Sequence, residues 1–100
     1  MKLFSIQDYS VYGQCSSTVA LPICSCYGIE VVALPSAILS THTCGFKGYI
    51  NVDLTKALPL FIRHYQREKI TFDSMLVGYV ANKDQFDIIL NAKKELVKGP

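Results

Sequence analysis

The hexapeptide IEVVAL, residues 29–34, is apolar at almost every position and rich in β-branched side chains. Such a run is typical of a β-strand covered on both faces, because a strand with one solvent face alternates apolar and polar residues. Strands covered on both faces occur mainly in parallel sheets with helices on each side. We therefore predict an α/β protein, and the flanking segments should supply the other strands and helices.

The segment before IEVVAL predicts a strand followed by a helix. Residues 2–7, KLFSIQ, predict the first strand, and residues 8–13 are assigned to a loop. Residues 14–27, QCSSTVALPICSCY, carry the small and apolar side chains of a tightly packed helix. Pro22 would kink this helix, and Gly28 is expected to stop it.

The segment after IEVVAL predicts two helices and one strand. Residues 35–51 are expected to be a long irregular stretch, and loops of that length tend to be functional. Asp53 is the candidate N-cap of a helix in which Pro59 marks either a kink or the true start. Residues 73–77 predict a third strand, and Asn82 caps a last helix. The side chains expected on its buried side are Phe86, Ile89, Leu90 and Leu96.

The predicted order is strand, helix, strand, helix, strand, helix. Right-handed crossovers would build it into a parallel sheet with helices on both faces. Ligands of such sheets bind at the carboxyl ends of the strands. Three segments lie there: Asp8 to Gly13, Pro35 to Gly45, and Gly78-Tyr79. Their convergence on one edge predicts a ligand site.

Composition limits the classes of function. One hundred residues form at most one small domain, and a hydrophobic share of 50% excludes a disordered tail. The net charge of +2 is scattered, which argues against nucleic-acid binding. No apolar run approaches the roughly 20 residues of a membrane helix, and the apolar N-terminus is too short for a signal peptide. We therefore expect a cytoplasmic protein.

The cysteines predict free thiols rather than disulfides or a metal site. Without a secretory signal, a reducing compartment is expected. Cys24 and Cys26 form C-x-C rather than C-x-x-C, and the second pair of ligands that zinc needs would have to come from His42, Cys44 and His64. Small core cysteines are the favoured interpretation, and His64 is predicted to be a solvated surface residue.

No complete catalytic set is visible in the sequence. The GFKG segment, residues 45–48, lacks the spacing and the hydroxyl of a Walker A loop. Only Gly13 follows the first strand, where a dinucleotide fingerprint needs three spaced glycines. No Ser, His and acid triad can be assembled.

Several residues at the predicted edge have two interpretations. Asp8 could contact a ligand or cap the following turn. His42 and Thr43 could bind a ligand or stabilise their own loop through local hydrogen bonds. Cys15 could be reactive or simply small. Tyr79 could stack on a planar ligand or pack on the sheet.

At these positions the chain resembles the pyridoxal kinases of the ribokinase superfamily. The resemblance lies in SIQD-x-x-x-x-G from residue 5, in IE-x-x-x-LP-x-x-x-LSTHT-x-x-FKGY from residue 29 and in FD-x-x-x-x-GY from residue 72. Pro22 after a small-residue helix also matches. The resemblance covers nearly all of the chain. It implies a Rossmann-like three-layer αβα sandwich of the ribokinase-like fold, here only its N-terminal βαβαβα part.

The resemblance also implies a reaction and a pocket. The family phosphorylates the 5′-hydroxymethyl group of pyridoxal, pyridoxine or pyridoxamine with ATP and Mg²⁺. Asp8 and Thr43 would make polar contacts to the ring substituents, Ala37 and Leu39 would form apolar walls, and Tyr79 would pack on the ring. The implied substrate-binding residues are Asp8, Cys15, Ala37, Leu39, His42, Thr43 and Tyr79. A homodimer is implied too, since family members are commonly dimers.

Two departures from the family pattern affect these expectations. Many relatives carry a serine where Asp8 stands, and a carboxylate there would favour a protonated ring nitrogen or demand a donor. The family's GTGD-like anion hole, catalytic aspartate and nucleotide pocket lie downstream of the matched region. We therefore expect residues 1–100 to be a substrate-binding portion that is inactive alone. The alternatives are a hydroxymethylpyrimidine or sugar kinase of the same superfamily, and a non-catalytic binding domain.

Overall fold

The computed structural model describes residues 1–13, 17–78, 80 and 82–98, with residues 17–20 described by their backbone. Its elements alternate in the order expected for an α/β protein, with one additional short strand. In chain order they are β1 (Lys2–Tyr12), α1 (Ser17–Cys26), β2 (Glu30–Thr41), β3 (Asn51–Asp53), α2 (Leu58–Arg67), β4 (Ser74–Val77) and α3 (Lys83–Leu96).

The four strands form one sheet in the order β3-β2-β1-β4. Strand β1 pairs in parallel with both β2 and β4, which confirms the predicted parallel sheet. Strand β3 is antiparallel to β2 at the edge and was not predicted, because three residues carry too little periodicity to detect. In the described part of the chain no helix is long and apolar enough to span a membrane.

The core lies between one face of the sheet and helices α2 and α3. Phe4 and Ile6 of β1 are fully buried there. The Phe4 ring stacks on Phe72 at a centroid distance of 4.5 Å and meets Tyr65 edge-on. Burying one such ring contributes about 1.5–3 kcal/mol, so these aromatic contacts hold β1 against the helices. The buried apolar cluster comprises Phe4, Ile6, Leu34, Leu58, Ile62, Phe72, Ile89, Ala92 and Leu96.

Two segments predicted as loops are strand over part of their length. Residues 8–13 were assigned to a loop, but β1 continues to Tyr12. Residues 35–51 were expected to be irregular, but β2 continues to Thr41 and pairs with β1 as far as Tyr12↔Thr41. The polar residues of these segments resembled strand ends, yet the paired backbone continues past them.

The helix ends agree only in part with the predictions. Asn82 caps α3 as expected, since its Oδ1 accepts a hydrogen bond from the Gln85 amide at 2.9 Å. The prediction that Asp53 caps α2 is wrong, because α2 begins at Leu58 with Pro59 in its first turn. Gly28 follows α1 at φ +72°, a conformation that suits a helix stop.

The buried side of α3 differs from the predicted one. Ile89 and Leu96 are buried as expected, but Phe86 and Leu90 are 52% and 51% exposed. The buried stripe recurs at spacings of four and three residues, so these two side chains lie at its edge. On α2, His64 is exposed at 3.6 Å from Glu68, which confirms it as a surface histidine. The buried residues of α3 are Gln85, Ile89, Ala92 and Leu96.

Candidate functional site

A β-bulge interrupts the pairing of β1 with β2. Gln7 pairs with Pro35, but Tyr9 pairs with Ile38, so β2 carries one more residue than β1 across this interval. Asp8 therefore lies opposite both Ser36 and Ala37. An extra residue shifts the alternation of side chains by one position. Beyond the bulge, the odd-numbered residues of β2 lie on the face that its even-numbered residues occupied before it.

The two faces of the sheet beyond the bulge differ in burial. Asp8 and Ser10 of β1 are at most 9% exposed, and so are Ala37 and Leu39 of β2. The register puts Ser10 opposite Leu39, and the alternation of side chains puts all four on one face. The opposite face carries exposed apolar side chains in register across three strands. The exposed apolar residues of this face are Tyr9, Val11, Ile38 and Val52.

The loop after β2 is held against the end of β1 by His42. Its backbone N–H donates to the Tyr12 carbonyl at 3.1 Å, and its ring meets Phe46 edge-on at 4.9 Å. Gly13 has φ +113°, and a Cβ at this position would collide with the His42 imidazole. Glycine is therefore required at residue 13 by both backbone and contact. Thr43 follows and is exposed.

A polar network lies beneath the bulge, buried at Gln85 and exposed at Asp53. The side-chain amide of Gln85, on α3, donates to the Ser36 carbonyl at 3.3 Å and to Thr55 Oγ1 at 2.9 Å. Both the Thr55 hydroxyl and the Thr55 amide donate to Asp53 Oδ1, the amide at 2.7 Å. These two bonds lower the pKa of Asp53 from its ordinary value of 3.8, because they stabilise the carboxylate.

One hydroxyl at the site is buried without a hydrogen-bond partner among the described residues. It is Oγ1 of Thr41, which pairs with Tyr12 at the end of the β1–β2 ladder. The alternation of β2 places Thr41 on the same face as Ala37 and Leu39. A buried hydroxyl without a partner is costly, so a bound molecule that accepts or donates a hydrogen bond there would relieve the cost.

The structure brings together some of the residues predicted for the site. Asp8, Ala37 and Leu39 lie on adjacent strands on one face. His42 packs at the end of the same strands, and Thr43 is in the loop directly after it. Cys15 and Tyr79 lie outside the described residues.

The third predicted segment also reaches this edge of the sheet. The Gly78 N–H donates to the Ile6 carbonyl at 3.0 Å, and a Cβ at Gly78 would lie 2.8 Å from Cγ of Gln7. The backbone after β4 therefore lies close against β1, one residue before Asp8. All three segments meet beside the carboxyl-terminal end of the core strands, as the topology predicted.

Sequence reasoning missed Gln85 and Thr41. The pattern Asn82-x-x-Gln85 is a capping-box pattern and suggested only a helix start. Nothing in the sequence indicated that the amide of Gln85 would cross to β2. Thr41 was assigned to an irregular stretch, so its position on a sheet face was not foreseen.

Other features of the described residues lie apart from this face. A surface cleft of about 270 Å³ lies between α2 and α3. Arg63 and Asp87 line it, and none of the predicted site residues does. Among residues 1–13, 17–78, 80 and 82–98, no three His, Cys, Asp or Glu side chains cluster closely enough to hold a metal ion. Cys24, Cys26 and Cys44 are free thiols as predicted, but the expected core position is wrong for Cys26 and Cys44, which are exposed.

Comparison with known proteins assigns the chain to a class of fold. No protein-family model matches it, and no curated protein does. Solved structures do match, and they show that the chain has the fold of the N-terminal part of a ribokinase-like kinase.

The resemblance to pyridoxal kinases is confirmed within that class. The chain superposes on pyridoxal kinase from Lactobacillus plantarum with a TM-score of 0.92 and 32% identity over 96% of its length. A Bacteroides thetaiotaomicron protein described as a phosphomethylpyrimidine kinase gives a TM-score of 0.92 and 33% identity over 97% of this chain. A second crystal form of that protein contains pyridoxal, and this chain matches it with a TM-score of 0.91.

The likeness covers only part of each solved structure. The chain spans 33% of the Bacteroides protein and 34% of the Lactobacillus enzyme. Pyridoxal kinase from Leishmania donovani, solved with ADP and pyridoxamine, matches with a TM-score of 0.81 at 18% identity, which shows the fold alone. The chain therefore corresponds to about a third of these kinases.

Proposed function

We propose that this chain is the N-terminal portion of a kinase that transfers a phosphoryl group from ATP to the 5′-hydroxymethyl group of pyridoxal, pyridoxine or pyridoxamine. In this proposal residues 1–100 supply the vitamin-binding edge. The observation that carries it is the match, at 33% identity and a TM-score of 0.91, to a protein crystallised with pyridoxal. The STHT segment and the buried carboxylate of Asp8 support it from within the chain.

The proposed pocket is the face of the sheet that carries Asp8, Ala37 and Leu39. Ala37 and Leu39 offer apolar walls to a flat ring, as most small-molecule pockets do. The Asp8 carboxylate accepts a hydrogen bond from a ring substituent or from a protonated ring nitrogen. The hydroxyl of Thr41, buried and without a partner in the described part of the chain, is a further group for a polar substituent.

Residues at the ends of the strands complete the proposed pocket. The Thr43 hydroxyl makes a polar contact, and the His42 ring closes the side next to Tyr12. Tyr79 packs on the vitamin ring and Cys15 lines the pocket, both by resemblance to the family. These residues bind and orient the vitamin, so that its 5′-hydroxyl is presented to the phosphoryl donor.

We place the phosphoryl-transfer chemistry outside this chain. Phosphoryl transfer needs donors for the phosphate charge and a base for the hydroxyl. The described residues show no acidic or histidine cluster that suits Mg²⁺. The ATP phosphates and the cation are therefore proposed to be held mainly by the remaining part of the kinase. The contribution of this chain is binding and orientation.

We also propose a cytoplasmic homodimer. Free thiols at Cys24, Cys26 and Cys44 suit a reducing compartment. The exposed apolar row on the outer face of β1, β2 and β3, centred on Ile38 and Val52, is a surface that a second copy could cover. Light scattering on the full-length protein tests this association, and an Ile38→Lys variant that leaves a dimer intact would exclude this surface.

The proposed activity is tested on the full-length protein with ATP, Mg²⁺ and each B6 vitamer, by following pyridoxal 5′-phosphate formation. Asp8→Ala and Thr43→Ala are expected to weaken pyridoxal binding by about tenfold or more, the effect of one lost buried or charge-assisted hydrogen bond. Asp87→Ala, an exposed acid of α3, is the matched control and should bind as the wild type does. Unchanged affinity in both site variants would remove the site assignment.

The isolated residues 1–100 are expected to form no pyridoxal 5′-phosphate. The apolar side chains of Leu76, Phe86 and Leu90 are exposed at β4 and α3, and a covering partner would stabilise them. Product formation by the purified piece would contradict this division of the kinase.

A kinase acting on a hydroxymethylpyrimidine is the second candidate. One observation favours it, namely that the Bacteroides protein is described as a phosphomethylpyrimidine kinase. Hydroxymethylpyrimidine and pyridoxal should be compared as substrates by kcat/KM in one assay. A ratio that favours the pyrimidine by more than about tenfold would transfer the proposal to that class. A non-catalytic binding domain would require that neither substrate is phosphorylated by the full-length protein.

A further inference from the structure

The pocket face of β2 depends on a single extra residue. Without the bulge between Pro35 and Ile38, the alternation that begins at Leu34 would continue unchanged. Ile38 would then lie on the pocket face, and Ala37 and Leu39 would lie on the exposed face. The geometry of the bulge therefore decides which side chains stand beside Asp8.

Two donors hold the bulge at the Ser36 carbonyl. The Leu54 amide donates to it at 3.0 Å from the segment after β3. The side-chain amide of Gln85 donates to it at 3.3 Å from the first turn of α3. Pro35, the preceding residue, has no N–H to donate to the ladder, and proline within a sheet is typical of bulges and edges.

The Gln85 side chain is itself fixed by its surroundings. It is fully buried, and the same amide group donates to Thr55 Oγ1 at 2.9 Å. A buried amide whose bonds are broken keeps the cost of desolvation, so few other arrangements of the bulge compete with this one.

We propose that Gln85 is a positioning residue of the vitamin pocket. Its hydrogen bond to the Ser36 carbonyl fixes the bulge, and the bulge makes Ala37 and Leu39 face the same side as Asp8. The pocket role rests on the proposed function. Whether Gln85 holds the bulge does not depend on that function, and hydrogen exchange in residues 36–41 measures it directly.

The test compares two variants of the first turn of α3 in the full-length protein. Gln85→Met keeps the length of the side chain and removes its donors, whereas Asn82→Ala removes the helix cap and has no bond to β2. Hydrogen exchange is measured by mass spectrometry on peptides covering residues 36–41 and residues 30–34. Affinity for pyridoxal is measured by titration on the same samples.

Gln85→Met is expected to raise exchange in residues 36–41 by about tenfold, to leave residues 30–34 unchanged, and to weaken pyridoxal binding by about tenfold. Asn82→Ala should lower the thermal midpoint and leave the affinity for pyridoxal within about twofold. If the role of Gln85 were only structural, Gln85→Met and Asn82→Ala would lose the same affinity for pyridoxal when they lose the same stability. If Gln85→Met does not fold, Thr55→Val, which removes the other acceptor of the amide, is expected to weaken binding by about threefold.

Three outcomes overturn the proposal: wild-type affinity in Gln85→Met, an equal loss of affinity in Asn82→Ala, or unchanged exchange in residues 36–41. If the wild-type protein does not bind pyridoxal, the proposed function fails instead. The exchange comparison then still decides whether Gln85 holds the bulge.

Discussion

The two halves of β1 belong to one continuous strand, yet different interactions hold them. Residues 2–7 lie between β2 and β4 and bury Phe4 and Ile6 among the helices. Among the described residues the pairing of β1 with β4 ends at Ile6↔Val77, and residues 8–12 pair with β2. Their buried positions hold Asp8 and Ser10 in place of apolar side chains.

This difference separates stability from the proposed vitamin binding along a single strand. Apolar burial holds the first half, and one lost ring there affects the whole fold. The second half is held by a backbone ladder, a bulge and a few side-chain hydrogen bonds. Polar groups can therefore be placed at the second half without weakening the core. Substitutions can therefore change the two halves of β1 separately.

The largest effect is expected in the first half. Phe4→Ala should lower the free energy of unfolding by about 3–5 kcal/mol, because the ring stacks on Phe72 inside the core. Phe61→Ala is the control and should cost less than about 1 kcal/mol, since that ring on α2 is 48% exposed. Urea denaturation of the full-length protein measures both. Equal losses would mean that the first half of β1 does not depend on this core.

The next effect concerns the end of the second half. Gly13→Ala should destabilise the protein by about 2–3 kcal/mol, since the new Cβ meets the His42 ring and φ is positive. Gly45→Ala has the same sign of φ but open space around it, so it should cost only about 1 kcal/mol. The difference between the variants measures the contact with His42. No difference would show that the ring moves aside freely.

A smaller effect on stability and a clear effect on binding are expected at Thr41. Thr41→Val removes a hydroxyl that has no partner in the described part of the chain, so the unliganded protein should change by less than about 1 kcal/mol. Pyridoxal affinity should fall by about five- to tenfold if the vitamin pairs with this hydroxyl. Thr71→Val, which precedes β4 at the amino-terminal end of the sheet, is the matched control and should bind pyridoxal as the wild type does. If Thr41→Val binds pyridoxal with wild-type affinity, the Thr41 hydroxyl does not contact the vitamin.

The smallest effect is expected from pH at Asp53. The bonds from Thr55 lower the pKa of Asp53 in the folded state, so their stabilisation is present above its ordinary value of 3.8. It is lost as the pH falls from there through the lower pKa of the folded state. Asp53 is exposed, so Asp53→Asn should reduce this acid-dependent loss by at most about 0.5 kcal/mol.

The measurement for Asp53 is the thermal midpoint at about pH 6 and about pH 2.5. Asp87→Asn is the control on the surface of α3. An identical midpoint difference in Asp53→Asn and the wild type would mean that Thr55 does not stabilise the carboxylate.

The sequence predicted the amino-terminal parts of β1 and β2 better than their carboxyl-terminal parts. KLFSIQ and IEVVAL are apolar runs, and apolar periodicity is what a single sequence reveals best. Residues 8–13 and the Ser-, Thr- and Gly-rich residues 35–51 predicted loops, although residues 8–12 and 36–41 are strand. Their strand structure comes from pairing with each other, which is information from distant parts of the chain.

The candidate site was foreseen by position and not by geometry. Strand ends, and then family resemblance, selected Asp8, Ala37 and Leu39. The bulge that places the last two beside the first has no sequence signal beyond Pro35. The contact from Gln85 joins residues 49 positions apart, and no local pattern could predict it.

The bulge also governs how this segment tolerates insertions and deletions. A deletion of one residue between Pro35 and Ile38 would remove the bulge and leave a regular strand, in which Ile38 and Leu39 keep their partners on β1 and their faces of the sheet. A sequence alignment that places the corresponding gap elsewhere in the strand would match pocket residues with surface residues. Homologous positions after Pro35 should therefore be assigned by counting from the bulge, not from the start of the strand.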